Sequence, residues 1–539
     1  MQRVNKTINS SRGRPENSGN QNTNHDKNHE SQAKTQKKFG IRPEYVILIM
    51  IILATLSIRL YFALKTPEFT GDEAYFNIRQ TENILETGRP LYDDPLSYSG
   101  RKYVFSPIYH YVLAGASLMM PVHTAAKILP NIFATILIYI IFLICKEITK
   151  NWRAALIAAM AAGFTPIFFS KTTNNGGVES FVAMLLFLAY YFFIKIQDNT
   201  RYAYYFIITA ALLTITHTSA LILLAGLLIS MGLLKMEKIK IKKAETEALL
   251  FTILFATWFY IIFYKEAFLQ HGTNIVWQNV PSTIIQQYFT GTNIIEAISM
   301  IGIISFIFGL QTIYATVFGG KKREAFHITG IILIISGMLW LKVMKPDFGL
   351  MILGLFLAIL FSIYSKNFLT YLEKTKVVRY KTQLIVLFIL LILISAVIPS
   401  ILFTNAEIKK STTIEEMDAL TWIKENTEQD SVVLATIEEG HLITAVANRK
   451  NAADSHFLLI KGTNDISEDI TSIYSSPLLT TTVHLINKHN INYIYVSQRT
   501  ANKYKITEDQ FSDNTCFEKV YDNKIRIYRT SCMVKEFEI

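Results

Sequence analysis

The chain has 539 residues, 51% of them hydrophobic and 12% aromatic, with 53 Lys and Arg against 42 Asp and Glu for a formal charge of +11. A mean hydropathy of +0.28 excludes an ordinary water-soluble globule, because the apolar residues form unbroken runs rather than the periodic pattern of half-buried elements. The basic residues sit mostly in short loops between those runs, which argues against a nucleic-acid patch and for the lysine and arginine bias of inner membrane loops.

Residues 1–44 read as a disordered, basic cytoplasmic tail, rich in Asn, Ser, Gln and Lys and carrying Arg3, Lys6, Arg12, Arg14, Lys34, Lys37 and Lys38. No small-residue cleavage site accompanies the first apolar run, so 45–64 reads as a retained anchor. Further spans are expected at 124–145, 154–170, 178–195, 202–216, 218–234, 247–264, 293–316, 326–342, 348–365 and 383–404, about 11 in all. Alternating sides places 146–153, 196–201, 235–246, 317–325 and 366–382 inside. These loops hold the basic clusters Lys235–Lys243 and Lys321–Arg323, and the bias is weak only at 196–201. Residues 106–121 are apolar but short, and a crossing there would turn every later basic loop outward. They are therefore read as an interfacial or re-entrant helix within a long outer loop, 65–123.

Residues 405–539 change character and read as an extracytoplasmic α/β domain. Helices are expected at 413–426 and 477–489, and strands at Ser431–Thr436, His441–Val446, Asn492–Ser497 and Lys524–Tyr528. Cys516 and Cys532 bracket two strands around an Asp-Asn turn. Outside the cell they suit a disulfide, and two unpaired thiols are the alternative. Cys145 lies in an apolar run and reads as a packing residue.

Ionisable residues gather on the outer side. Asp72 and Glu73 follow the first span in a loop that is otherwise aromatic- and proline-rich. Carboxylates held at headgroup level either take a proton from an acceptor hydroxyl or orient a divalent cation such as Mg or Mn, for which Asp72 and Glu179 are the candidate ligands. Glu179 opens a span after Asn174-Asn175-Gly176-Gly177, a turn that lets the backbone approach a ligand. His217, Lys342 and Lys345, with Arg101 and Lys102, are cations on the same side, suited to a phosphate at the outer leaflet. Solvated acids, a helix-entry carboxylate and snorkelling lysines are the bland alternatives for these residues.

The succession Gly71-Asp72-Glu73, Gly88-Arg89-Pro90 and Ser106-Pro107-Ile108-Tyr109-His110-Tyr111 before a long span resembles the polyprenyl-phosphate-sugar glycosyltransferases of GT-C fold. The branch it is most similar to holds the protein O-mannosyltransferases and the lipid A aminoarabinose transferase. In that branch the Asp of the Asp-Glu pair is the supposed catalytic carboxylate, which implies Asp72. Met344-Lys-Pro-Asp-Phe-Gly is similar to its late basic loop near the lipid phosphate. Residues 435–454 resemble the oligosaccharyltransferase region around Trp-Trp-Asp-Tyr-Gly. Gly440 and the Ile-Thr, Asn-Arg and Ala-Asp pairs match, but Thr-Ile-Glu-Glu stands where that motif has Trp-Trp-Asp-Tyr.

The resemblance implies a polytopic GT-C-type enzyme of the plasma membrane. It would transfer a sugar from a polyprenyl or dolichyl phosphate to a hydroxyl of a lipid, glycan or protein on the outer face. Asp72 would be the base, Glu73 and Glu179 would orient the acceptor or a metal, and Lys345, Lys342 and His217 would hold the phosphate. The alternatives are an oligosaccharyltransferase-like enzyme using a lipid-diphosphate glycan, and a transporter or scaffold. A transporter would favour internal repeats and polar residues at mid-membrane, where this chain has neither.

Overall fold

The computed structural model describes residues 42–291, 293–319, 322–506, 508–511, 513 and 515–532. Most of the expected basic tail lies outside them. The apolar runs fold as helices because no water is available to satisfy their backbone groups. The first is α1 (Pro43–Ala63), and the long loop after it holds α2 (Glu73–Thr87), the strand pair β1 (Asp93–Asp94) and β2 (Arg101–Lys102), and α3 (Ile108–Ser117). Then come α4 (Val122–Thr149), α5 (Trp152–Gly163), α6 (Pro166–Thr173), α7 (Glu179–Lys195), α8 (Tyr202–Thr216), α9 (Ala220–Met236) and α10 (Lys243–Phe263). The short α11 (Lys265–His271) and α12 (Ser282–Thr290) precede α13 (Ile294–Ile301), α14 (Ile303–Phe318), α15 (Arg323–Trp340), α16 (Pro346–Lys374), α17 (Lys381–Ile392) and α18 (Ile398–Ile408).

Every expected span coincides with helix. Among the described residues six helices are long and apolar enough to cross a membrane, or eight if each of two bent pairs forms one span; α8 and α9 are apolar but shorter. The protein is a multi-pass membrane protein. At ten residues, α3 rises about 15 Å and is too short to cross.

Two of the expected spans are broken. The first bends by 48° between α5 and α6, where Pro166 opens the second piece. The second bends by 91° between α13 and α14 at Gly302, whose φ of +99° suits glycine alone. The breaks abut: a Cβ on Gly302 would lie 3.6 Å from Pro166 Cδ and 3.9 Å from the carbonyl of Ser395, in the π-helical turn Leu393–Val397 that joins α17 to α18. Three irregular turns thus pack on one another at this point.

The loops assigned inside meet at one end of the bundle. Lys146 pairs with Glu44 (2.8 Å), Lys195 with Glu147 (3.0 Å) and Arg153 with Glu373 (3.6 Å), and Arg323 donates to the carbonyl of Lys240 (2.7 Å).

The C-terminal part comprises α19 (Ile414–Asn426), β3 (Val432–Leu434), a helical stretch that opens with α20 (Gly440–Leu442) and continues as the π-helical turn Ile443–Ala447, β4 (Lys450–Asn451), α21 (Thr463–Ser475), α22 (Leu479–Lys488), β5 (Tyr493–Val496), α23 (Gln498–Tyr504), β6 (Phe517–Asn523) and β7 (Ile525–Thr530). The sheet order is β4-β3-β5-β7-β6, with β3 parallel to β4 and β5, and β7 antiparallel to β5 and β6. Residues 441–446, expected as a strand, are helical. Their alternation is spurious, because Leu442, Ile443 and Ala447 bury one helical face against α19 and the first loop. Cys516 and Cys532 form a disulfide that closes the β6–β7 hairpin. Free Cys145 is buried in the bundle, as expected. One hydrophobic cluster holds Phe69, Ala74, Tyr75 and Ile78 together with Leu420, Val433, Leu442, Tyr495 and Ile527, so the first outer loop and the C-terminal part share a core.

α9 and α15 cross closely through glycine. A Cβ on Gly226 would sit 2.6 Å from Ile331 Cα, and one on Gly330 would sit 2.5 Å from the Gly226 carbonyl oxygen. Gly330→Leu is expected to lower stability by about 1–3 kcal/mol through overpacking. A lowered unfolding midpoint in detergent measures this, and an unchanged midpoint contradicts it.

Candidate functional site

A cavity of ≈ 230 Å³ lies at the end of the bundle opposite the inner loops. Its wall takes Glu73 from α2, Glu179 from α7, His217 between α8 and α9, Tyr288 from α12, Lys342 and Lys345 between α15 and α16, and His456 from the C-terminal part. Each loop assigned to the outer side contributes to it. Five of the expected site residues therefore meet: Glu73, Glu179, His217, Lys342 and Lys345.

Glu179 is positioned by glycine. Gly176 has φ +63°, and a Cβ there would lie 2.7 Å from Ala74 Cβ; a Cβ on Gly177 would lie 2.2 Å from Glu179 Oε2. The Gly176 carbonyl accepts from Asn77 Nδ2 (3.1 Å) and Tyr109 Oη (3.3 Å), and Asn77 Oδ1 bonds His110 Nε2 (2.9 Å). So α3, which does not cross, holds the turn that carries Glu179. Glu179 Oε2 is buried without a hydrogen-bond partner.

Lys345 caps α16 and lies over the Tyr288 ring, with Lys342 over Phe289, each 5.7 Å from the ring centre. Burial works against the Lys345 charge, but Tyr288, Glu73, Glu179 and Asp347 outweigh it and hold its pKa above the ordinary lysine value. His217 Nδ1 accepts from the Ser219 N–H (3.0 Å), which leaves the ring proton on Nε2 as a donor. Burial, then Lys345, pushes its pKa down to about 4.

Asp72 is placed differently from its neighbour. Its two carboxylate oxygens accept the backbone N–H groups of His441 (3.0 Å) and Leu442 (2.8 Å), at the start of the helical stretch that begins at Gly440. Burial raises its pKa well above the usual carboxylate range, against those two bonds, and Asp454 and Glu439 add to the rise. The cavity-facing acid of the pair is Glu73. Among the described residues, Asp72 and Glu179 do not belong to a cluster of three potential metal ligands. Arg101 and Lys102 are not brought to the cavity. The Arg101 guanidinium donates to the carbonyls of His456 and Leu458, lies 3.6 Å from Asp454 Oδ1 and stacks over Tyr103, while Lys102 is exposed.

Beside Asp72, the side chains of His441, Asp454 and His456 offer ligand atoms within 4.8 Å of one another. Sequence reasoning gave these three no role. His441 fell in an expected strand, and the only signal was the Asp-Ser-His spacing at 454–456. A Cβ on Gly440 would lie 2.2 Å from the Ala453 carbonyl oxygen, so only glycine lets the helical stretch and the 453–456 loop meet this closely.

Residues 105–261 match the family model described as dolichyl-phosphate-mannose-protein mannosyltransferase. Over 135 residues the chain is 29% identical to the Dolichyl-phosphooligosaccharide-protein glycotransferase 2 of Archaeoglobus fulgidus, a match spanning 23% of each protein. Among solved structures, the fold is similar to the Archaeoglobus fulgidus oligosaccharyltransferase in the apo form (TM-score 0.63, 16% identity, 86% of this chain and 70% of that one). That enzyme is also known in complex with Zn and sulfate. The fold is likewise similar to ArnT of Cupriavidus metallidurans bound to undecaprenyl phosphate (TM-score 0.54, 9% identity, 91% and 98%). The fold is thus of GT-C type, a polytopic helical bundle with a small C-terminal sheet domain.

Two outcomes are expected. Asp72→Asn keeps one acceptor but turns an NH2 toward a backbone N–H, which should cost about 1–3 kcal/mol locally; faster hydrogen exchange at residues 440–447 reads it. His217, with a folded pKa below the unfolded 6.5, binds fewer protons folded than unfolded, so its contribution is lost as pH falls from 6.5 toward about 4. Thermal melts across that window should show a shallower fall for His217→Gln than for the parent protein.

Proposed function

We propose that the protein is an inverting membrane glycosyltransferase that moves a sugar from a polyprenyl- or dolichyl-phosphate carrier to a hydroxyl of a lipid, glycan or protein. The observation that carries this reading is a cavity pairing two carboxylates, Glu73 and Glu179, with two lysines, Lys342 and Lys345, at the end of an apolar bundle. Donors of this class consist of an apolar tail, a phosphate and a sugar, and the cavity offers cations where an apolar surface meets water. Support also comes from the family model matched at residues 105–261 and from the ArnT and oligosaccharyltransferase folds.

In the transfer, the acceptor oxygen attacks the anomeric carbon and the bond from that carbon to the phosphate oxygen breaks. The phosphate leaves with the electron pair, and the acceptor proton passes to a carboxylate. Glu73, which makes no hydrogen bond among the described residues, is the base, and Glu179 orients the acceptor. Lys345, Lys342 and the Nε2–H of His217 receive the charge that builds on the phosphate. Asp72 acts as the clamp that seats residues 440–447 over the cavity. The steps above place no Mg or Mn at Asp72 and Glu179, which belong to no cluster of three potential ligands among the described residues. The donor enters laterally from the outer leaflet of the plasma membrane. Residues 45–404 form the catalytic bundle, and 405–539 an outer domain that selects the acceptor.

A second reading rests on the curated relative, an oligosaccharide transferase: the carrier is a diphosphate bearing a whole glycan. Turnover with lipid-monophosphate sugars but not lipid-diphosphate glycans would exclude it.

Glu73→Gln is expected to cut kcat by at least about 10²-fold, the usual contribution of a general base, with little change in KM. Lys345→Met should raise the donor KM and also lower kcat. Radiolabelled sugar transfer by purified protein in nanodiscs measures both, and full activity of Glu73→Gln overturns the proposal.

A further inference from the structure

Two histidine side chains beside the cavity carry buried nitrogens that nothing satisfies. Among the described residues, Nδ1 and Nε2 of His441 and Nδ1 of His456 find no hydrogen-bond partner, and His441 is 1% exposed. A neutral imidazole has one donor and one acceptor nitrogen, and rotating the ring cannot satisfy both when neither has a partner. A buried polar group left so costs about 1–3 kcal/mol. The rings lie 4.7 Å apart, and Asp454 completes the cluster, with Oδ1 3.8 Å from His441 Nε2.

The carboxylate is already fixed from behind. Asp454 Oδ2 accepts from Ser97 (2.5 Å), Asn451 (3.2 Å) and Tyr103 Oη (3.4 Å), while among the described residues Oδ1 accepts only the backbone N–H of His456 (3.0 Å), which leaves a lone pair for a ligand. Such outer bonds are what orients a ligating carboxylate. Arg101 is the opposing charge, 3.6 Å from Oδ1, but its guanidinium donates to two carbonyls, and Asp72 adds negative charge nearby.

We propose that His441, Asp454 and His456 bind a divalent transition-metal ion of the zinc class, separate from the Glu73–Glu179 pair. Two imidazoles and one carboxylate favour Zn2+ over Mg2+, which prefers oxygen ligands and keeps its waters. Three protein ligands leave a position for water or a substrate oxygen. His456 borders the cavity, so the ion sits within reach of its contents. It also ties the loop at 454–456 to the helical stretch whose first amides hold Asp72, and so fixes the outer domain against α2.

The inference rests on these three side chains and not on the transfer reaction, so it can fail while the glycosyltransferase reading stands. The test uses full-length, tag-free protein in detergent, stripped with a chelator and titrated with Zn2+ and, separately, with Co2+. One tight equivalent is expected, with visible Co2+ absorption of a nitrogen–oxygen site that millimolar Mg2+ does not displace. His441→Gln and His456→Ala should each weaken binding at least tenfold, whereas His217→Gln should leave it unchanged. His456→Ala lies at the cavity edge, and retained helical circular dichroism would separate loss of a ligand from loss of fold. Absence of a stoichiometric ion in the parent protein overturns the proposal, as does equal affinity in the His441 and His456 variants.

Discussion

The arrangement depends on one carboxylate. Asp72 leaves the first outer loop and accepts two backbone amides from a segment about 370 residues later. Adjacent helical residues point about 100° apart, so the same turn that sends Asp72 into the C-terminal part leaves Glu73 free to face the cavity. The Asp-Glu pair thus divides: Asp72 holds the C-terminal part and Glu73 lines the cavity. A charged oxygen on a helix start is favoured by the peptide dipoles, while burial opposes the charge. The shared core of Phe69, Tyr75, Leu442 and Tyr495 keeps the two segments together around that balance.

The second constraint comes from a helix that does not cross. α3 returns its face to the bundle, and His110, Asn77 and the Gly176 carbonyl form a chain of bonds ending at the turn before Glu179. If α3 crossed, the inner loops could not meet through Lys146–Glu44 and Lys195–Glu147, and the cavity residues would be split between two sides. Membrane topology therefore decides whether a site exists here at all.

Much of this was legible in the sequence. Loop charge grouped on one side the loops whose residues Glu73, Glu179, His217, Lys342 and Lys345 line one cavity, because the lysine and arginine bias acts on the chain before tertiary packing exists. What was illegible depends on contacts distant in sequence. Arg101 reads as a phosphate ligand, but its neighbours are the carbonyls of His456 and Leu458, and no local pattern announces them. Gly302 reads as one small residue in an apolar run, and the 91° bend follows from its packing beside Pro166 and Ser395. Residues 441–446 read as a strand because two residue periods fit so short a stretch, and only the shared core selects the helix.

The charges in the cavity are not independent. Glu73 and Glu179 help to keep Lys345 protonated despite its burial, and Lys345 in turn helps to keep His217 neutral. Two acids face two lysines across the cavity, which lowers the cost of burying these charges. In the proposed transfer, a lipid phosphate adds negative charge beside the carboxylates. It strengthens their hold on a proton just as the acceptor hydroxyl must release one. Donor binding in that reading primes the base electrostatically. The four side chains act as a unit, so their contributions to transfer cannot be additive.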